Sequence, residues 1–338
     1  MQHEVTIGIP VYNVEKYIRR AIDSALAQTF SDIEFLVCDD GSQDSSIAIV
    51  EEYQCNHPRG KDIRIVHQPH NMGAGVTRNR IIEETRTHYL YQLDADDAIA
   101  PQTIELLYNA VQKYNADIVY GSFERITEYG EEKKKEIIRY PSIQFLKENE
   151  FASWVYRKYD GIQAMTWNYL INIDIYRKNN LHYEPVNFWE DFTFTIDLPT
   201  YVSRAVLLPE VTYYYYCREG SLSNYQKRSH INKAEIQNTI NAITAVKNRS
   251  ERVKGKPYFS SRMCKVMMTS YYLARHIIRS NDRIQPPFSK KEIKEIMNSP
   301  ISLYDLLSSK KCLVKNVYLF LLGILPPSLS VWLIKLSN

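Results

Sequence analysis

Short apolar runs alternate with amphipathic stretches through the first third of the chain. Val5 to Pro10 reads as a buried strand. Val14, Tyr17, Ile18, Ala21, Ile22, Ala25 and Leu26 then recur at helical spacing, predicting a helix with one apolar face and Asn13 as its N-cap. The alternation repeats with strands over 33–40 and 63–67 and helices from Ser45 to Tyr53 and Ala74 to Glu84. A strand from Tyr89 to Leu93 follows, then a helix from Pro101 to Tyr114 with proline in its first turn, and a strand over 116–123. This order predicts an α/β fold, Rossmann-like, with a mostly parallel central sheet and helices on both faces. In open sheets of this kind ligands bind beyond the carboxyl ends of the strands. The polar motifs fall there: "PVYN" after the first strand, Asp39-Asp40-Gly41-Ser42 after the second, Asn71 to Arg80 after the third, and Asp94, Asp96 and Asp97 after the fourth.

Beyond residue 123 the pattern loosens. The charged stretch from Glu124 to Arg139 reads as a solvated hairpin or loop. "NFWEDFTFTIDL" (187–198) predicts a helix that opens on acidic residues, which suits the positive end of its dipole. "VLLPEVTYYYYCR" (206–218) is strand-like. After residue 226 helical stretches dominate, so two domains are expected, 1–225 and 226–338. Within the first, the regular alternation of 1–123 gives way to the looser 124–225. The tail from Val317 to Leu333 has no charged residue, is flanked by lysines, and is broken by Pro326-Pro327. It is short for a spanning helix. Two readings are open, a bent interfacial segment touching membrane and a helical hairpin packed on its own domain.

Composition narrows the classes. The chain of 338 residues is 44% hydrophobic and 24% charged, as expected of a folded globular protein, and a formal net charge of +3 gives no reason to expect nucleic-acid binding. Five cysteines without Cys-x-x-Cys pairing predict reduced thiols and a cytoplasmic setting, and the N-terminus carries no signal-peptide pattern.

Three carboxylates within four positions repel one another unless a cation balances them. An Asp-x-Asp at a strand end suits Mg²⁺ or Mn²⁺, which takes one or two carboxylates and completes its shell with phosphate oxygens and water. An EF-hand would need a further ligand pattern that is missing. Helix capping before Pro101 is the bland alternative. Asp40 can accept from a pyrimidine or ribose, and Arg78 can neutralise the acids or touch a phosphate.

Together, "IPVYN" (9–13), "ALAQTFSDIEFLVCDDGSQD" (25–44), "NMGAGVTRNR" (71–80), "LDADD" (93–97) and "WED" (189–191) resemble the family 2 glycosyltransferases over roughly residues 4–225. The resemblance implies the GT-A fold, with 1–123 binding nucleotide and 124–225 facing the acceptor, followed here by a C-terminal helical region. It implies a nucleotide-sugar donor, often UDP-linked, with Pro10 and Tyr12 framing the base, Asp40 contacting uracil and Arg78 bracing the nucleotide. Asp94 and Asp96 would form the Asp-x-Asp element, with Asp96 the closer metal ligand. Asp191 would be the catalytic base, Glu190 and Trp167 would lie on the acceptor side, and Arg218 and Ser221 would belong to a loop closing over the diphosphate. Tyr169 departs from a lysine common in relatives. The expected activity is inverting sugar transfer to a lipid-linked glycan in surface polysaccharide synthesis, at the inner face of the plasma membrane. Two rivals carry less: a nucleotidylyltransferase, which would need a Gly-rich phosphate loop where "PVYNVEKY" stands, and an inactive nucleotide-sugar binder, against which Asp40, Asp94, Asp96 and Asp191 together speak.

Overall fold

The computed structural model of the chain describes residues 3–129, 132–158, 162, 165–186, 189–217, 230–300, 302–307 and 313–336. The elements in chain order begin with β1 (Val5–Val11), α1 (Ile18–Leu26), β2 (Ile33–Asp39), α2 (Ser46–Asn56), β3 (Ile63–His67) and α3 (Ala74–Glu84). They continue with β4 (Tyr89–Gln92), β5 (Ala98–Ile99), α4 (Thr103–Tyr114), β6 (Ile118–Tyr129), β7 (Glu132–Ile138), β8 (Ile143–Phe145) and α5 (Glu150–Lys158). Next come β9 (Tyr169–Asn172), α6 (Asp174–Lys178), α7 (Glu190–Thr195) and β10 (Ala205–Cys217). The chain then runs through β11 (Ile231–Asn232), α8 (Lys233–Arg249), α9 (Phe259–Ser280), β12 (Ile284–Gln285), α10 (Lys290–Glu295), α11 (Leu303–Leu307), α12 (Leu313–Ile324) and α13 (Pro327–Leu336).

Two compact units emerge. The first holds Met1–Phe151, Met165–Pro185 and Tyr201–Leu222. The second holds Ala152–Ala164, Val186–Thr200 and Ser223–Asn338, so two short segments upstream of residue 226 group with the helical C-terminal part.

The first unit is built on one mixed sheet with strand order β3-β2-β1-β4-β9-β6-β10-β5. Its β3-β2-β1-β4 part is parallel, and Val11, Asp39 and His67 end three of these strands in register. β9 enters antiparallel between β4 and β6, which makes the sheet mixed beyond that point. The charged stretch after Phe123 is the β6/β7 hairpin, antiparallel from Phe123↔Ile138 outward. α3 packs on β1 and β2, and α4 on β6, β9 and β10.

Most expected elements are present, with shifted ends. α1 buries Ile18, Ala21, Ile22, Ala25 and Leu26, as its periodicity requires. It starts at Ile18, however, and Asn13 is not its cap. Asn13 adopts a left-handed φ of 50° and its Oδ1 accepts from the Gln43 amide at 2.8 Å. Its side chain is therefore spent tying the loop after β1 to the loop after β2. α4 likewise begins at Thr103, after Pro101, whose carbonyl accepts from the Thr29 amide at 2.9 Å. Gln28 holds that junction too: its Oε1 accepts from the Ile104 amide at 3.0 Å and its Nε2 donates to the Ala100 carbonyl at 2.8 Å.

The second unit has its own core, which includes Ile236, Ile243 and Val246 of α8, Met263, Val266 and Ala274 of α9, Leu319 and Leu322 of α12, and Val331 and Ile334 of α13. The apolar tail is thus two helices, each with one face in this core. Val314, Leu321, Ile324, Trp332 and Leu336 are exposed on the other side. Among the described residues, no helix is long and apolar enough to cross a membrane. Cys38, Cys55, Cys217 and Cys264 are free thiols.

Candidate active site

The carboxyl ends of β1, β2, β3 and β4 carry the expected motifs, and hydrogen bonds connect them in series. Asp40, one residue beyond β2, is buried. Its Oδ1 accepts from the Met72 amide at 2.7 Å and from Gln68 Nε2 at 2.6 Å, and its Oδ2 accepts from the Gly73 amide at 3.0 Å. A carboxylate has about four lone-pair sites, so three donors leave one for a ligand. Gly41 beside it has φ 74°, and a Cβ there would lie 2.8 Å from the His70 backbone. Only glycine lets the two loops come this close.

Gly73, at φ 94°, precedes α3, and a Cβ there would meet nothing within 4 Å. One turn on, Arg78 is buried and its Nη2 donates to Asp94 Oδ1 at 2.8 Å. Its guanidinium also lies 5.9 Å from the Tyr183 ring centroid. Burial pushes the Asp94 carboxyl above its ordinary value, Arg78 opposes that shift, and Asp96 adds to it.

The three aspartates of this loop differ. Asp97 is only 1% exposed; its Oδ2 accepts from Tyr213 Oη at 2.7 Å and its Oδ1 from the Tyr216 amide at 2.8 Å. Burial, then Asp96 and Asp94, raise its pKa well above the usual carboxylate range. Asp94 gives one oxygen to Arg78. Asp96 is held through its backbone carbonyl, which accepts from Arg20 Nη2, while its side chain is partly exposed. Arg20 stacks on the Tyr216 ring, 3.4 Å from its centroid. Asp97 thus belongs to the fold, and of the three it is Asp94 and Asp96 that could hold a divalent cation, which takes one or two carboxylates and completes its shell with phosphate oxygens and water. Among the described residues, no group of three or more His, Cys, Asp or Glu side chains is placed to hold a metal alone.

Pro10 lies within β1, paired with Cys38, and Tyr12 just beyond the strand is 44% exposed. Trp167 stacks on Tyr213 at 4.3 Å and on Tyr215 at 5.3 Å, with its face against the edge of Phe123 or the reverse at 5.0 Å and 87°. It therefore braces the tyrosine that holds Asp97. Glu190 and Asp191 open α7 in the second unit, after Trp189 at φ 60°. Asp191 Oδ1 accepts from the Phe192 amide at 2.7 Å. Arg218 and Ser221 lie outside the described residues.

Sequence reasoning missed Gln68, Arg20, Tyr213 and Tyr216. The first sits one residue past β3 and the tyrosines sit inside an unbroken "TYYYYC" run, where alternation tells the face but not the partner.

The sequence pattern that defines Glycosyl transferase family 2 matches residues 6–178. The chain belongs to that family. Its relatives include an uncharacterized glycosyltransferase, EpsJ, of Bacillus subtilis, 27% identical over 89% of this chain and 84% of EpsJ. The cholesterol galactosyltransferase of Borreliella burgdorferi is 26% identical over 72% of this chain and 68% of its own length. A chondroitin synthase of Escherichia coli is 42% identical over 109 residues, which span 32% of this chain but only 15% of the synthase. Among solved structures, S. aureus TarS (residues 1–349, in complex with UDP-GlcNAc) superposes with a TM-score of 0.58 at 16% identity, covering 95% of this chain and 90% of that one. The mannosyltransferase PcManGT of Pyrobaculum calidifontis, in complex with GDP-Man and Mn²⁺, gives 0.53 at 12% identity, covering 100% and 88%. The fold of this family-2 chain is GT-A, with helices after the sheet domain.

Proposed function

We propose that the chain is an inverting glycosyltransferase that moves a sugar from a nucleoside-diphosphate donor to an acceptor hydroxyl. The observation that carries this is the bonded series from Asp40 through the 72–73 amides into α3 and from Arg78 to Asp94, set at the ends of parallel strands. In this assignment the first unit binds the donor. Pro10 and Tyr12 frame the base, the remaining lone pair of Asp40 meets it, and Arg78 supplies positive charge beside Asp94. Asp96, with Asp94, would hold Mn²⁺ or Mg²⁺, which when bound neutralises charge on the diphosphate. Asp191, with Glu190 beside it, is assigned as the base, Trp167 is assigned to the acceptor side, and Arg218 and Ser221 are assigned to the diphosphate. The acceptor oxygen bonds to C1 of the sugar as the C1–O bond to the diphosphate breaks. The nucleoside diphosphate leaves with that electron pair, and the hydroxyl proton passes to Asp191. Attack opposite the leaving group inverts the anomeric centre.

The TarS structure with UDP-GlcNAc supports UDP as the nucleotide, and the PcManGT complex keeps GDP in the donor screen. The outer apolar face of α12 and α13, with Lys315 and Lys335, supports contact with an anionic membrane at the cytoplasmic face and hence a lipid-linked glycan acceptor. Calorimetric titration with UDP tests the donor site. Binding should be much tighter with Mn²⁺ than without, and Asp96→Ala should remove the difference while leaving the fold intact. Equal affinity with and without Mn²⁺ in the unaltered chain would end the metal role given to Asp96.

A further inference from the structure

α7 has six residues, no side-chain N-cap bond, and a left-handed residue, Trp189, at its start. So short a helix does not hold itself together in water. Its position must come from what it is fastened to, and within the second unit those fastenings are specific. Trp189 and Phe192 pack on the core and Ile196 lies inside it. The Ile196 carbonyl accepts from the buried Tyr156 hydroxyl. Asp197, 1% exposed, takes two guanidinium groups: Arg262 Nη2 donates to Oδ1, and Arg249 Nε donates to Oδ2 at 2.7 Å. Arg262 is itself 0% exposed, and its Nη1 donates to Ser250 Oγ. Arg252 Nη2 reaches Thr200 Oγ1 at 2.8 Å.

From Asp197 back to Asp191 the chain is bonded throughout. The Asp197 amide donates to the Phe194 carbonyl at 3.1 Å, the Ile196 amide to the Phe192 carbonyl at 3.0 Å, and Thr195 Oγ1 to the Asp191 carbonyl at 2.7 Å. A displacement at Asp197 is therefore carried to the start of α7. Burying Arg262 with the Asp197 carboxylate is a costly way to gain stability, since apolar residues of similar volume do as well or better. What the ion pairs add is a fixed place for the carboxylate and for the chain that bears it.

We propose that Arg262 is a positioning residue for Asp191: through Asp197 it fixes where the base is presented, so that helix α9 takes part in setting the geometry of the transfer. This rests on the assignment of Asp191 as base made above. Arg262 touches no reacting atom in this scheme; it acts through the 191–197 segment.

The test uses the full chain and water as acceptor, following nucleoside-diphosphate release from UDP-N-acetylglucosamine, UDP-galactose and GDP-mannose. The variants are Asp191→Asn, Arg262→Lys, Arg262→Met, and Asp197→Asn combined with Arg262→Met. The double variant removes both buried charges together, so it should fold even if Arg262→Met alone does not. Folding is checked by thermal unfolding, and the donor site by UDP affinity. In the folded double variant kcat should fall by about 10²-fold, the cost typical of misplacing a group by about 1 Å. KM for the donor should stay within about threefold, because ground-state donor binding is untouched. Arg262→Lys should recover part of the loss. A folded double variant with unaltered kcat would overturn the positioning role while leaving the base assignment standing if Asp191→Asn is slow. Unaltered turnover in Asp191→Asn, or no release from any donor by the unaltered chain, would remove the base assignment and the positioning role together.

Discussion

Asp94, Asp96 and Asp97 share one loop yet meet three different surroundings. The side chain of Asp97 accepts two buried hydrogen bonds, from Tyr213 Oη and the Tyr216 amide. Truncating it leaves both donors without their partner, at about 1–3 kcal/mol for each unsatisfied group. Asp97→Ala should therefore lower the stability of the full chain by about 2–6 kcal/mol in urea unfolding. Asp96→Ala, which removes a partly exposed side chain and keeps the carbonyl that Arg20 binds, should stay within about 0.5 kcal/mol of the unaltered protein. A reversed order would mean that Asp96 is the structural member. The sequence made the places of Asp40, Asp94 and Asp96 just past strand ends, and of Arg78 within α3, legible because each sits in a short motif. It hid what holds them. Arg20 meets Asp96 across 76 positions and Tyr216 meets Asp97 across 119. No local pattern of polar and apolar residues encodes a partner so far along the chain. It also concealed that Asp40 spends most of its acceptor capacity on the 72–73 loop and Gln68, because a motif names a residue and not its donors.

At the scale of elements, periodicity located α1, α3 and the parallel strands β1, β2 and β4, since each buries a continuous face or run. It did not reveal β9, a four-residue strand inserted antiparallel between β4 and β6, because that pairing is a property of the sheet and not of "YLIN". Nor did it separate the second unit's helices from one another, although one contact there has a measurable signature. Lys247 of α8 is buried, and its Nζ donates to the carbonyls of Ile296 and, at 3.0 Å, of Asn298, just past α10. Burial lowers its pKa to about 7, from an ordinary value of 10.5. Between these values the unfolded chain holds a proton that the folded chain lacks, so Lys247 makes stability rise with pH across that window and fall as pH drops toward 7. Thermal unfolding from about pH 7 to about pH 9 should show this rise, below the range in which tyrosines exposed by unfolding begin to ionise. Lys247→Met should flatten it over the same range. An unchanged slope in Lys247→Met would assign the pH dependence to other groups.

For the whole molecule, the decisive question is what the outer face of the C-terminal helices meets. α12 and α13 are separated at Leu325-Pro326, where proline supplies no amide donor. Their inner residues, Leu319, Leu322, Val331 and Ile334, complete the core of the second unit. Deleting the tail would open that core, so loss of membrane binding in a truncated chain would not distinguish contact from unfolding. Substitution on the outer face does. Ile324 is 62% exposed, Trp332 54% and Leu321 40%. Burying such a side chain fully is worth about 1.5–3 kcal/mol, and these three have roughly half their surface left to bury, so together they offer about 2–5 kcal/mol. Lys315 and Lys335 add about 1 kcal/mol each near an anionic surface. The sum suits reversible, peripheral binding that weakens with salt, and is far below that of a spanning helix. In a flotation assay the full chain should rise with vesicles containing phosphatidylglycerol and rise less in high salt. The triple variant Leu321→Glu, Ile324→Glu, Trp332→Glu should remain at the bottom of the gradient. Its unfolding temperature and UDP affinity should match those of the unaltered protein, because none of the three side chains lies in the core and the residues proposed to bind the donor belong to the first unit. A triple variant that floats as well as the unaltered chain would place the membrane contact elsewhere, and a chain that never floats would leave this face to some other partner.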